Sequence, residues 1–196
     1  MNSKKASAYG LFAAIVVVLQ LIATFIKFGP VNITLALAPI IIGAALYGRR
    51  FGAFVGTVLG IVIAVLGAFG LDGGFVLMLA QYHPVIIFLV AILKTTVAGY
   101  LAGLIYELVA KKNSLAAVIA SGIICPIVNT GIFLLGCLLF FMEPVTALAV
   151  EFGFTDVGKY MIFGLVGGNF LVEMAVNIVL APVIIRIISI IRKSKA

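Results

Sequence analysis

The sequence predicts an all-α polytopic membrane protein with six transmembrane helices and both termini in the cytoplasm. Three observations lead there. Of the 196 residues, 65% are hydrophobic and only 10% are charged, and the mean hydropathy of +1.37 is far above what a water-soluble domain tolerates. The apolar runs are continuous rather than alternating, which excludes a membrane barrel and leaves helices as the way to satisfy a backbone in lipid. The basic residues fall on alternate connections, as membrane topology demands. Six spans of about 20 residues use about 120 positions, so residues 1–196 read as one membrane domain with no attached soluble domain.

The first helix is expected from about Ala6 to Lys27. Lys4 and Lys5 precede it, but the apolar stretch is longer than a secretory core and lacks a small-residue cleavage site, so it reads as a retained helix. The second, Leu35 to Tyr47, is short. Before it, Gly29-Pro30-Val31-Asn32 reads as a turn or re-entrant stretch. Irregular backbone at membrane depth needs protein or a cavity beside it, which hints at a pocket wall. The other helices are expected near Phe51 to Phe69, Pro84 to Ala110, Leu115 to Met142 and Lys159 to Ile191. Two connections, Gly70 to His83 and Glu143 to Gly158, are long and of mixed polarity, the kind that serve as lids.

The net charge of +7 is resolved by counting sides. Lys4, Lys5, Arg49, Arg50, Lys111, Lys112, Arg186, Arg192, Lys193 and Lys195 fall on one side, and only Lys27 and Lys159 on the other. The first side is therefore read as cytoplasmic. The excess is a topology signal, so nucleic acid is not an expected partner. Lys94 is the one positive charge that topology does not explain.

Small residues recur at every fourth position: Ala6, Gly10 and Ala14 in the first helix, and Gly52, Gly56, Gly60, Ala64 and Ala68 in the third. Such rows let another helix backbone approach closely. They serve either packing within the chain or docking of a separate membrane subunit.

A second pattern is polar and lies at membrane depth. It comprises Lys94, Asn129, and Asn169, Glu173 and Asn177 at i, i+4, i+8. A charge there costs about 2.5 to 3.5 kcal/mol on insertion scales, so each needs a partner or a wet cavity. One reading is a structural Lys94–Glu173 ion pair with asparagines bridging helices. The other is a solute pocket in which Lys94 anchors an anionic group while Asn129 and Asn169 sort hydroxyls and amides.

Chemistry beyond binding finds little support. Cys125 and Cys137 lie inside an apolar run without metal-ligand spacing. His83 is the single histidine and stands before Pro84, as an interfacial residue would. Glu107 precedes Lys111 by four residues and reads as a helical ion pair. No metalloprotease, nucleophile-elbow or phosphate-loop motif occurs, so neither enzymatic activity, a metal nor a cofactor is expected, and uphill transport needs a partner or an ion gradient.

The segment Gly29-Pro30-Val31-Asn32-Ile33-Thr34-Leu35, then Ala38-Pro39-Ile40-Ile41-Ile42-Gly43, then Tyr47-Gly48-Arg49-Arg50-Phe51-Gly52-Ala53 resembles the substrate-binding S components of energy-coupling-factor (ECF) vitamin transporters. The resemblance implies a small bacterial plasma-membrane protein that captures a vitamin or precursor from outside. It implies association with a transmembrane scaffold (T) subunit and two ABC-type ATPases, and delivery by toppling in the membrane. It carries a pocket onto Lys94, Asn129, Asn169 and Glu173, with Gln81, Tyr82 and Asn32 near the entrance, and scaffold contact onto Ala6, Gly10, Ala14, Gly52 and Gly56. The stretch Cys125-Pro126-Ile127-Val128-Asn129-Thr130-Gly131 looks like the pantothenate-type branch. A lysine with amide neighbours suits one carboxylate, an amide and two hydroxyls. The rival reading, from another class, is a proton-coupled secondary transporter using Glu173 and Lys94. No internal repeat supports it.

Overall fold

Five of the expected apolar runs become helices long and apolar enough to cross a membrane: Ala6–Ala23, Arg49–Ala68, Pro84–Val109, Ser114–Phe140 and Val157–Ile191. The computed structural model describes residues 3–25, 27–28, 31–32, 36–72 and 74–193. In chain order these form α1 (Ser3–Ala23), a two-residue ladder β1 (Lys27–Phe28) with β2 (Val31–Asn32), α2 (Leu37–Tyr47), α3 (Arg49–Ala68) and α4 (Phe75–Tyr82). Then come α5 (Pro84–Val109), α6 (Ser114–Phe140), α7 (Met142–Glu151), α8 (Val157–Lys159) and a stretch of wide π turns (Tyr160–Gly167) that runs into α9 (Gly168–Lys193).

The sixth expected helix, α2, has 11 residues, about 16 Å at 1.5 Å per residue, and so covers roughly half of a 30 Å hydrocarbon core. Its shortness is compensated by centrality. Leu37, Ile40 and Ile41 are at most 1% exposed, and α2 touches α1, α3, α5, α6 and α9. It ends at Gly48, whose φ of +93° is a left-handed geometry that any side chain would strain. That single residue lets α3 start at once, at Arg49. Because α2 covers only that half, the chain between α1 and α2 has the remaining depth to fill. The described part of it is the antiparallel pair Lys27 with Asn32 and Phe28 with Val31. The connecting Gly29-Pro30 and residues 33–35 lie outside the described residues.

The end of the bundle where α3 and α6 begin and α5 and α9 finish carries Arg49, Arg50, Lys111, Lys112, Arg186 and Lys193, and is called the basic end below. Here the sequence expectation for Glu107 is corrected. Its carboxylate does not serve its own helix but crosses to α3, where Oε1 accepts from the backbone N–H of Arg49 at 2.9 Å and Oε2 lies 3.9 Å from Arg49 Nε. A carboxylate at a helix N-terminus meets free N–H groups and the positive end of the helix dipole, which an i, i+4 lysine pair does not offer.

At the far end both long connections contain a short helix, α4 and α7. Asp72 starts α4 by accepting from Gly74 N–H at 3.0 Å and Val76 N–H at 2.7 Å. Helix α7 buries Val145 and Ala149 against the π segment, with Phe141 and Tyr160 in the same cluster. The core accordingly divides into two, one around α2 near the basic end and one under α4 and α7 at the far end.

The tightest helix pair is α3 with α5. Gly52 meets the Gly99 backbone, Gly56 meets the Thr95 backbone, a methyl group at Gly60 would lie 2.6 Å from Ile92 Cα, and one at Gly103 would lie 2.5 Å from Arg49 Cα. The small row of α3 thus faces a second row on α5, Ala91, Thr95, Gly99 and Gly103. Thr57 and Thr96 add a hydroxyl pair at 2.9 Å across the same seam.

Candidate functional site

Helix register decides which polar groups can meet. Helices α6 and α9 run antiparallel, with Asn177 Nδ2 donating to Gly122 O at 3.4 Å. Counting outward from that pair, Glu173 stands level with Pro126, and Asn129 stands between the levels of Glu173 and Asn169. On α5, Val90 faces Gly136, where a methyl group would lie 3.0 Å from it. Counting inward from there brings Lys94 level with about Ile132. Lys94 therefore sits one to two turns toward the far end from Glu173, about 6 to 9 Å along the axis.

Side-chain geometry agrees with that ladder. Lys94 is half-buried and holds its Nζ 4.8 Å from the centre of the Phe133 ring, a placement that offsets part of the cost of desolvating an ammonium. It interacts through space with Glu173 and Asp72. Asn129 is 4% exposed and its Oδ1 has no hydrogen-bond partner among the described residues. A buried acceptor left unsatisfied costs about 1 to 3 kcal/mol, so such an atom marks where a donor is wanted. Glu173 is 5% exposed. Asn169 belongs to the first turn of α9, and its side chain lies outside the described residues. Cys125 and Cys137, both buried and free, pack alongside.

Of the four residues expected in the pocket, Lys94, Asn129 and Glu173 lie on α5, α6 and α9 within two helical turns of one another along the axis. Asn177 instead bridges α9 to α6. Gln81 and Tyr82 close α4 at the far end and are exposed, and Asn32 lies in β2, opposite Lys27. His83 is exposed, 5.9 Å from the Phe141 ring centre. The wall beside the polar ladder is open. A groove of about 380 Å³ runs between α6 and the π segment, past Thr130, Gly131, Phe163 and Phe170. The wide turns of Tyr160–Gly167, a geometry frequent at functional sites, supply one wall of this groove.

The small-residue rows have different surroundings. Ala6, Gly10 and Ala14 form an exposed stripe on α1, and a methyl group at Gly10 would meet nothing within 4 Å. Gly52 and Gly56 are buried against α5 and are not surface.

Sequence reasoning passed over Gln20. It is 5% exposed in α1 and its Oε1 has no hydrogen-bond partner among the described residues. A lone amide in an apolar run was the available signal, the same one that singled out Asn129. The π segment was also missed, although Gly164, Gly167 and Gly168 thin the helix there.

A family model described as "ECF transporter, substrate-specific component" matches residues 8–185. No curated protein matches the chain in sequence. The matched region contains Lys94, Asn129 and Glu173 and most of the chain, so the chain belongs to the family of substrate-specific components of ECF transporters.

Proposed function

We propose that the chain captures a small anionic vitamin, pantothenate as the best candidate, and passes it inward on a transmembrane scaffold driven by two partner ATPases. Family membership supports a vitamin-type substrate subunit working with an ECF module. Six membrane-associated helices with both termini cytoplasmic, in a bacterial plasma membrane, accord with the one-sided basic residues.

The observation that carries the substrate reading is the ladder itself. A cation (Lys94), an unsatisfied amide oxygen (Asn129) and a carboxylate (Glu173) are spaced along the interior between α5, α6 and α9. Lys94 binds the carboxylate, Asn129 Oδ1 accepts from an amide or hydroxyl donor with Asn169 one turn toward the mouth from Glu173, and Glu173 accepts hydroxyls at the deeper end. The interval of about 6 to 9 Å between Lys94 and Glu173 suits a short chain with an acid at one end and hydroxyls at the other. Gln81, Tyr82 and Asn32 stand near the mouth, with α4 and α7 as its covers.

Scaffold contact is assigned to the exposed Ala6, Gly10 and Ala14 stripe. Gly52 and Gly56 act on it indirectly, by holding α3 and α5 together. Gly10→Leu is expected to leave vitamin binding intact and to abolish co-purification with the scaffold. Assembly surviving that change would remove α1 from the interface.

The direct test is to purify the chain, identify the small molecule that accompanies it by mass spectrometry, and confirm it by calorimetry across a vitamin panel. Recovery of pantothenate supports the reading. Recovery of a cationic or uncharged vitamin contradicts the role given to Lys94. Proton-driven uptake by the chain alone in liposomes would establish the rival secondary transporter, whereas strict dependence on scaffold and ATPases is the expected result.

A further inference from the structure

We infer that the basic end holds a binding site for one anionic phospholipid, between α5, α6 and α9. A pocket of about 250 Å³ lies there, lined by Tyr106, Ser114, Ile185, Ile188 and Ser189. Helix ends set its depth. Ser114 is the first residue of α6, and Tyr106 and Ser189 stand three and four residues from the last residues of α5 and α9. All are within about 6 Å of a helix terminus, in the headgroup layer rather than the hydrocarbon core.

The walls match an amphiphile. Ile185 and Ile188 supply an apolar floor, while Ser114 and Ser189 bring hydroxyls. The surrounding charge has one sign. Lys111 and Lys112 lie in the turn leading to Ser114, Arg186 adjoins Ile185, and Lys193 follows Ser189 by one turn, all exposed. Of the six acidic residues only Glu107 belongs to this end, and its carboxylate is turned to Arg49.

The N-terminus of α6 is not itself the site. Asn113 Oδ1 already accepts from Leu115 and Ala116 N–H at 2.8 and 3.1 Å. An anion here is held by side-chain cations. Ser189 donates its own proton to Arg186 O at 2.8 Å, which leaves its oxygen as an acceptor for a headgroup hydroxyl. Basic pockets between helices at the cytoplasmic face recognise anionic headgroups on this principle. The apolar floor favours a lipid over free phosphate. The inference uses the orientation proposed above but not the identity of the vitamin.

The test takes the full chain in detergent and adds phosphatidylglycerol, phosphatidylcholine of the same acyl chains, or inorganic phosphate. Native mass spectrometry counts retained lipid, and thermal unfolding reports stabilisation. One phosphatidylglycerol is expected to be retained under conditions that strip phosphatidylcholine. The double substitution Lys112→Gln with Arg186→Gln is expected to weaken retention at least tenfold without changing the lipid-free unfolding midpoint. Arg50→Gln, at the same end but on α3, is expected to retain the lipid.

Equal retention of both lipids overturns the inference. So does stabilisation by inorganic phosphate equal to that by phosphatidylglycerol, or a loss with Arg50→Gln as large as with the pair. Retained lipid with lost scaffold assembly in the double variant reassigns the pocket to a protein partner and also overturns it. Vitamin binding is measured on the same samples and is expected not to change, so failure of the lipid site and failure of the vitamin reading are told apart.

Discussion

Helices α3 and α5 on one side, and α6 and α9 on the other, are antiparallel pairs joined in opposite ways. The first pair meets backbone to backbone, with Gly52 on Gly99 and Gly56 on Thr95 leaving no room for a side chain. The second meets through side chains, Asn177 on Gly122 among them, with a groove of about 380 Å³ between α6 and the π segment that leads into α9. Without a hydrophobic drive inside lipid, close packing is what holds helices together. The first pair is therefore the rigid wall. The second pair, where Asn129 Oδ1 has no hydrogen-bond partner among the described residues, is the side proposed above to take a ligand.

Several substitutions break or sharpen that contrast, the largest effect first. Gly56→Leu places a branched side chain against the Thr95 backbone, which cannot yield as a flexible side chain would. Overpacking typically costs about 1 to 3 kcal/mol and more where backbone blocks relief, so little folded protein should be recovered by size-exclusion chromatography in detergent. Normal recovery would mean that the two helices are not in contact. Glu107→Gln removes the charged acceptor at the start of α3 and its ion pair with Arg49. The pair is substantially exposed, so a loss of about 1 kcal/mol or less is expected, read as a small drop in the thermal midpoint with unchanged vitamin affinity. Gly131→Ala, on the groove side of α6 with nothing within 4 Å, should be neutral or stabilising by up to about 1 kcal/mol, since Ala favours helix over Gly. A marked destabilisation there would show the groove to be filled.

The same contrast explains what could be read from sequence. Long apolar runs declare spanning helices directly, and Pro84 marks the start of α5 because proline suits a first helical turn. The end of α1 is harder. The run continues through Phe25, yet the helix stops at Ala23, in a turn where Thr24 N–H and Oγ1 both bond back to Gln20 O and no glycine or proline marks the end.

The glycine row of α3 was legible as a packing face, but not its partner. Ala91, Thr95, Gly99 and Gly103 on α5 are the complementary row, and pairing the two would have placed Gly52 and Gly56 inside the chain. Of the site, Lys94, Asn129 and Glu173 stood out because polar groups in lipid demand a reason. Their order along the axis did not, because it depends on helix register. The π segment was hidden because Gly164, Gly167 and Gly168 interrupt the apolar run without breaking it.

The central claim is that Lys94 meets a substrate carboxylate and not Glu173. Calorimetry on the wild type and Lys94→Ala, with pantothenate and with its alcohol analogue lacking the carboxylate, tests it in one cycle. The account predicts that Lys94→Ala weakens pantothenate binding at least tenfold, about 1.4 kcal/mol, and leaves the alcohol's affinity unchanged. Equal affinity of both proteins for pantothenate, with a lowered unfolding midpoint in Lys94→Ala, would contradict it and make the lysine a structural partner of Glu173.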